Sequence, residues 1–383
     1  MLNNCNNNNE IEIKKQLLLA ILRESKIKRM EKAFISEQFC SQHGDFAQVR
    51  ALLERLDKST FEMAGEEIVQ VRAAGADIIC IGESAYPCVL KEMSDPPLVL
   101  FIRGNKIWLE QETITQPLLY LAIVGMRKAS SEGCRFARQL AHELTASKVC
   151  IVSGLAYGID TAAHQGAVMA VDDAKKSGAL PLCPGIAVLG SGVNNIYPAR
   201  NRALAQEIIA GGGCIISEYG LDAEPLAYRF PERNRIVSGF VSGVIVVEAA
   251  SRSGSLITAR LALEEGRDVF AVPGAINSES AEGTNNLLKQ GAILVTSAED
   301  ILRHYWKIKF HQPEATKATA NISSENKILH CLNQHKSLSF DEIVEKTGNS
   351  SQKVAAELTI LEMTEEIYRH PGNLISIHRF IDN

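Results

Sequence analysis

Between Leu118 and Val295 the apolar residues come in short unbroken runs, each followed by a turn-rich loop and then a helical pattern. The runs are Leu118–Val124, Val149–Val152, Gly185–Leu189, Cys214–Ser217, Val244–Glu248, Val269–Val272 and Ala292–Val295. Apolar runs of this length predict strands covered on both faces, as in parallel sheets. Helical spacing fills Glu132–Ser147, Asp160–Val171, Asn201–Ala210 and Leu256–Glu265. The alternation predicts right-handed βαβ units in an α/β fold: a Rossmann-like, doubly wound, mostly parallel sheet.

The flanks read differently. Residues 1–75 are expected to form a helical, SAM-like N-terminal domain with a disordered start. Leu17, Leu18, Ile21 and Leu22 form one apolar stripe. Phe34, Phe39, Val49, Leu52, Leu53 and Leu56 continue the spacing. Ala76–Ile81 and Leu98–Ile102 read as short strands around a proline-containing bend. The sheet domain is assigned to 76–309, followed by a linker at 310–320. Within 321–383, helical patterns at Ser324–Gln334, Ser339–Lys346 and Ser350–Met363 precede an alternating segment, IYRHPGNLISI, in winged-helix order. The stretch 171–184 is longer than a usual helix-to-strand connection and reads as an exposed insertion.

Composition narrows the function classes. The 383 residues carry a net charge of −5, so any nucleic-acid site must be a local positive patch on an acidic molecule. Nine scattered cysteines without CxxC pairs argue for a reducing cytoplasm and against a disulfide framework or zinc site. No apolar run approaches the roughly 18 residues of a membrane span. The polar MLNNCNNNNE start is not a signal peptide.

In a parallel sheet the loops GMRKAS (125–130), SGLAYG (153–158), GSGVNN (190–195), SEYG (217–220), ASRSGS (250–255) and PGAINS (273–278) share one edge. There they predict a groove of backbone N–H donors with Arg127, Arg252, Tyr157, Tyr197 and Tyr219. Ser253-Gly254-Ser255 before a helix resembles a phosphate-cradling turn without the Gly-Lys-Ser/Thr of a nucleoside triphosphatase. The first loop is not G-x-G-x-x-G, and Ser153-Gly154 offers no acid for a ribose, so no dinucleotide cofactor is expected. Asp160 and His164 have metal-compatible spacing, but a helix-start aspartate and a histidine packed on the sheet explain them without a metal. Glu218 and Glu248 are expected to hold arginines such as Arg233 or Arg235 rather than to act as an acid–base pair. Phe230 and the three tyrosines are open to base stacking or to packing. The third C-terminal helix offers Lys353 among Glu357 and Glu362, so protein contact is as open there as DNA contact. The whole suits binding a polyanion rather than transforming one, with no catalytic set and no metal.

The runs AIVGMRKAS, SGLAYGIDTAAHQGA, IAVLGSGVNNIYPARN, SEYG, FPERNRIVSG, VVEAASRSGSLITARLALEEGRDVFAVPG and GTNNLLKQGA, in this order, closely resemble the bacterial DNA-processing family called DprA or Smf. The resemblance covers about residues 77–300. It implies a non-enzymatic single-stranded-DNA-binding protein that protects incoming strands in natural transformation, loads the RecA recombinase, and works as a homodimer through its sheet domains. It implies DNA-binding roles for Arg127, Ser153, Gly154, Phe230, Arg233, Asn234, Arg235, Ser253, Gly254 and Ser255. Asn195 and Arg252, in neighbouring strand-end loops, complete the candidate set. Met126 stands where the family usually has a small residue. Cys183-Pro184-Gly185 replaces a usual Gly-Lys-Thr, leaving Lys175 or Lys176 as substitutes. The alternatives are a nucleotide-binding sensor and a phosphoribohydrolase-like enzyme. In place of that enzyme's Pro-Gly-Gly-x-Gly-Thr loop, this chain has Ser-Arg-Ser-Gly-Ser.

Overall fold

The computed structural model describes residues 7–24, 35, 57–109, 119–178, 182–311, 327–335, 337–363, 367–370 and 374–377. The chain divides into two compact units, Met1–Lys307 and Ile308–Asn383.

The larger unit is built on a nine-stranded sheet: β1 (Asp77–Cys80), β2 (Val99–Gly104), β3 (Leu119–Val124), β4 (Val149–Ser153), β5 (Ile186–Leu189), β6 (Cys214–Ser217), β7 (Gly243–Val246), β8 (Asp268–Ala271) and β9 (Ile293–Leu294). The spatial order is β1-β2-β6-β5-β4-β3-β7-β8-β9. From β6 to β9 every neighbouring pair is parallel, while β1 and β2 close one edge in antiparallel pairing. The predicted doubly wound sheet is therefore present, with strand ends within a few residues of the apolar runs.

The helical spacings at Glu132–Ser147, Asp160–Val171, Asn201–Ala210 and Leu256–Glu265 each fall on a helix, and further helices precede β7 and follow β8 and β9. The helices run α1 (Asn7–Arg23), α2 (Lys58–Ala73), α3 (Cys88–Lys91), α4 (Ser131–Ala146), α5 (Ile159–Lys176), α6 (Arg202–Ala210), α7 (Arg229–Gly239), α8 (Gly254–Glu264), α9 (Glu279–Lys289) and α10 (Ala298–His311). Strand residues alternate between two hydrophobic layers because successive side chains point to opposite faces. Leu121, Ile123, Ile151, Ile245 and Val247 pack with Ala137, Leu140 and Leu144 of α4 and Ala163 of α5. Tyr120, Ala122, Val124, Cys150, Val152, Val244 and Val246 belong to the opposite layer with Ile236, Val237 and Ala259. Leu18, Leu19 and Ile21 of α1 join that second layer beside Ile79 and Leu100, so the N-terminal helices share the core of the sheet. Phe34, Phe39, Val49, Leu52, Leu53 and Leu56 lie outside the described residues, as does the 312–320 part of the expected linker.

The 171–184 stretch is not all surface. Helix α5 continues to Lys176, and Cys183 is buried with its sulfur 3.0 Å from that of Cys150. Residues 175 to 178 are exposed, and 179–181 lie outside the described residues. Cys150, Cys183 and the buried Cys214 sit where β4, β5 and β6 begin, and burial pushes the Cys150 and Cys214 thiols up.

The smaller unit holds α11 (Lys327–Gln334), β10 (Leu338–Ser339), α12 (Phe340–Thr347), α13 (Ser351–Met363), β11 (Ile367–His370) and β12 (Leu374–Ile377). Its sheet order is β10-β12-β11, the wing expected from the alternating segment. Ser339 and Glu342 form a capping box that starts α12. Gly348 ends it in the left-handed conformation at φ +65°, which favours glycine. Ile328, Leu332, Ile343, Val354 and Ile375 form its own core.

Candidate nucleic-acid interface

The strand order reverses at β3: β4 lies on one side of it and β7 on the other. In open parallel sheets such a switch point leaves a crevice at the carboxyl ends of the strands. The loops after β3, β4 and β7 meet there. The Met126 N–H donates to the Glu248 carbonyl (2.9 Å), and the Met126 carbonyl accepts from the Ile159 N–H (3.3 Å). Gly158, at φ +75°, lies so close to the Met126 carbonyl that any Cβ would collide with it. Glu248 accepts from the Ser130 amide (2.9 Å) and the Ser130 hydroxyl (2.5 Å), and Ser130 caps α4. The expectation that Glu248 holds an arginine is thus corrected: it anchors the first loop to the start of α4.

These loops enclose a groove of ≈ 500 Å³ lined by Gly125–Lys128, Ala156, Asp160, Phe230, Pro231, Arg233, Asn234, Ala250–Ser255, Ile257, Thr258 and Glu279. Of the candidate residues, it unites Arg127, Phe230, Arg233, Asn234, Arg252, Ser253, Gly254 and Ser255. The Arg127 guanidinium lies 5.0 Å from the centre of the Phe230 ring, a cation–π arrangement. Phe230 in turn stands 5.5 Å from Tyr197, so cation and two rings form a continuous row. Gly154 joins Arg127, Phe230, Tyr157 and Tyr197 in an adjoining notch. Among the described residues, no carboxylate comes within salt-bridge distance of Arg127, Lys128 or Arg252.

Helix α8 points its first turn into the groove. Ser253 caps it, with its hydroxyl 3.4 Å from the Ser255 amide and 2.8 Å from the Ser255 hydroxyl. Free N–H groups and the helix dipole favour an anion at such an end. A Cβ on Gly254 would meet nothing within 4 Å. Packing within the chain therefore does not require glycine there, whereas close approach by a ligand would.

Two arginines behave otherwise than the sequence suggested. Arg233 is buried: it donates to the Gly154 carbonyl (2.7 Å) and to the Val188 carbonyl, bracing the loop after β4 against the end of β5. Burial pushes its pKa down to about 10, which keeps it a cation at neutral pH. Asp160 is buried too and accepts from the Gly154 (3.1 Å) and Ala156 (3.4 Å) amides. Burial pushes its carboxyl up, opposed by the Arg233 charge. Arg235 is taken up by Glu218 (2.6 and 2.8 Å) and Asp95 (3.3 Å), as foreseen for Glu218. The reason is helical phase: Arg233 shares a face of α7 with Ile236 and Val237, which are buried.

Several other candidates stand apart. Ser153 is buried and donates to the Ile123 carbonyl (2.7 Å). The Asn195 amide reaches toward the Ala223 carbonyl (3.5 Å), outside the groove lining. Tyr219 bonds Glu232 (3.0 Å) and packs under the Arg229 guanidinium, so it belongs to packing. His164 is buried against the sheet, and burial pushes its pKa down to about 4. Lys175 and Lys176 end α5, at the sheet edge opposite the groove, and Lys176 pairs with Asp173 (3.2 Å). Neither lines the groove. Sequence reading missed Lys128, whose position beside Arg127 in GMRKAS was the available signal, and the organising role of Asp160.

The chain is similar to known proteins over most of its length. The family model described as DNA recombination-mediator protein A matches residues 77–306, and the DprA winged helix domain matches 312–373. Protein Smf of Escherichia coli is 38% identical over 311 residues, covering 77% of this chain and 75% of that protein. DNA processing protein DprA of Streptococcus pneumoniae is 41% identical over 223 residues, 58% of this chain and 72% of that one. The X-ray structure of DNA processing protein A from Streptococcus pneumoniae superposes with a TM-score of 0.58 at 33% identity, covering 79% of this chain and 98% of that one. A structure of the Helicobacter pylori protein, described for its single-stranded DNA binding mode, has a TM-score of 0.51 at 29% identity over 61% of this chain and 96% of that one.

Proposed function

Because this chain belongs to the DprA (Smf) family of DNA-processing proteins, we propose that its switch-point groove binds single-stranded DNA without sequence readout. The observation that carries the reading is the row Arg127–Phe230–Tyr197 beside the open first turn of α8. Rings and a guanidinium plane suit stacked bases, and N–H donors suit phosphates. The carboxylates at the strand ends support binding over turnover, since Glu218 is committed to Arg235 and Glu248 to Ser130. In this reading Arg127, Asn234, Arg252, Ser253, Gly254 and Phe230 touch the strand. Arg233, Ser153 and Gly154 shape the floor, and Arg235 and Asn195 hold neighbouring loops. Protection of incoming strands in transformation, loading of RecA, a cytoplasmic location and a homodimer through the sheet unit complete the proposal. So does the division into an N-terminal helical part, a sheet domain to 309, a linker and a winged helix. Lys353 of α13 pairs with Glu357 (3.9 Å), which favours a protein-contact role for the winged helix over a duplex-reading one.

Anisotropy titration with an oligothymidylate and a duplex of equal length at two salt concentrations tests this. The single strand should bind tighter, with a log–log salt slope of roughly −0.7 per neutralised phosphate. Equal affinity for duplex, or no salt dependence, would overturn the reading.

Gly254→Ala separates ligand approach from folding. The methyl faces open space, so the melting temperature should hold or rise slightly, because alanine is favoured over glycine in a helix by up to about 1 kcal/mol. Single-strand affinity should nevertheless fall. Unchanged affinity in a well-folded variant would remove the α8 turn from the site.

No described helix is long and apolar enough to cross a membrane.

A further inference from the structure

The switch-point groove does not end at its own rim. The notch that adjoins it shares Arg127, Ala156 and Phe230 with the groove and is also lined by Tyr157 and Tyr197. Tyr157 in turn lines a second concavity of ≈ 380 Å³ between α4, α5 and α6. Groove, notch and concavity thus adjoin in turn, the last two sharing Tyr157.

The second concavity has the chemistry of a backbone track. Arg138 of α4 and Arg200, in the turn before α6, line it, with Glu207 as its acidic residue. Among the described residues, no carboxylate lies within salt-bridge distance of either arginine. Arg138 is held in place by the neutral side chain of Gln165, through Nε (3.2 Å) and Nη2 (2.8 Å). Arg200 is exposed. By contrast, Arg135, one turn earlier on α4, pairs with Glu132. Tyr157, which lines both notch and concavity, is 44% exposed, and Tyr197, which lines the notch, is 42% exposed. The sheet does not use these rings, and an oligonucleotide could.

We propose that this concavity is a second segment of the single-strand path. It would take the phosphodiester backbone of nucleotides that continue past the switch-point groove, with Tyr157 as the stacking ridge and Arg138 and Arg200 as phosphate partners. The inference rests on the single-strand reading of the groove. It adds length: a short strand fills the groove alone, and a longer strand crosses Tyr157 and engages both arginines.

The test compares two oligothymidylates by anisotropy, one of about 6 and one of about 20 nucleotides, bracketing the site sizes usual for single-strand-binding folds. The proteins are the full chain, Arg138→Gln/Arg200→Ala, and Arg135→Ala as a control that removes a positive charge outside the path. The double variant should lose about tenfold or more on the long strand, the scale of charge-assisted contacts. It should stay within about twofold on the short strand. Its salt slope on the long strand should fall by about 1.4, two phosphates at roughly 0.7 each. Arg135→Ala should match the full chain on both. If the double variant melts early, Arg200→Glu alone gives the same comparison, because that side chain is exposed. An unchanged long-strand affinity overturns the inference, as does an equal loss on both lengths. Failure of the unaltered chain to bind either strand would instead overturn the single-strand reading, and this inference with it.

Discussion

Alanine in place of both Arg127 and Phe230 is expected to weaken single-strand binding by roughly 2–5 kcal/mol while leaving the fold intact. A charge-assisted phosphate contact is worth about 1.5–3 kcal/mol and a base stacked on a ring about 1–3 kcal/mol. The two side chains stack on each other, so their losses should not add fully. Each single variant followed by the double, titrated with the same oligomer, gives the coupling between them. Neither residue is buried in the core, so denaturant midpoints should move little. Loss of less than about 0.5 kcal/mol in the double variant would place the strand elsewhere.

The second large effect concerns stability. Arg233→Ala should destabilise the chain by about 3–5 kcal/mol, because it removes the charge that offsets burial of the Asp160 carboxylate and leaves only two backbone amides to hold it. It also removes the donors that hold the Gly154 and Val188 carbonyls. Urea unfolding gives the number. Arg233→Met with Asp160→Asn should recover part of the loss, since removing both charges spares the lone buried one. A cost below about 1 kcal/mol for Arg233→Ala would mean that the guanidinium braces nothing.

These two arginines show what the sequence could and could not convey. Arg127 was legible because it follows an apolar run directly, and the carboxyl end of a parallel strand leads to the open edge. The sheet was legible for a related reason. Val149–Val152 and Val244–Val247 have no polar face, so only a strand covered on both sides satisfies them. Arg233 was misread because charge suggests exposure. Its spacing from Ile236 and Val237, three and four residues on, places it on the inward face of α7. Arg235 needed its partners, and Asp95 is far away in sequence. The continuation of α5 past Val171 was obscured by Asp172, Asp173, Lys175 and Lys176, which form a solvated last stretch of helix rather than a loop. The row Arg127–Phe230–Tyr197 joins connections that follow three different strands, so no local pattern could announce it.

The cysteines where β4, β5 and β6 begin have a practical consequence. A thiol reacts as thiolate and only when reagent can reach it. Cys88, Cys134 and Cys331 are partly accessible, whereas Cys80, Cys150, Cys183 and Cys214 are sealed in. Alkylation of these described cysteines should therefore proceed in two kinetic classes. Within the slow class, Cys150, Cys183 and Cys214 would report how often the far edge of the sheet opens, since local opening is what admits the reagent. That edge lies away from the groove. Any slowing of the slow class by a bound oligonucleotide would measure how far across the sheet the ligand's grip is felt, with no probe introduced.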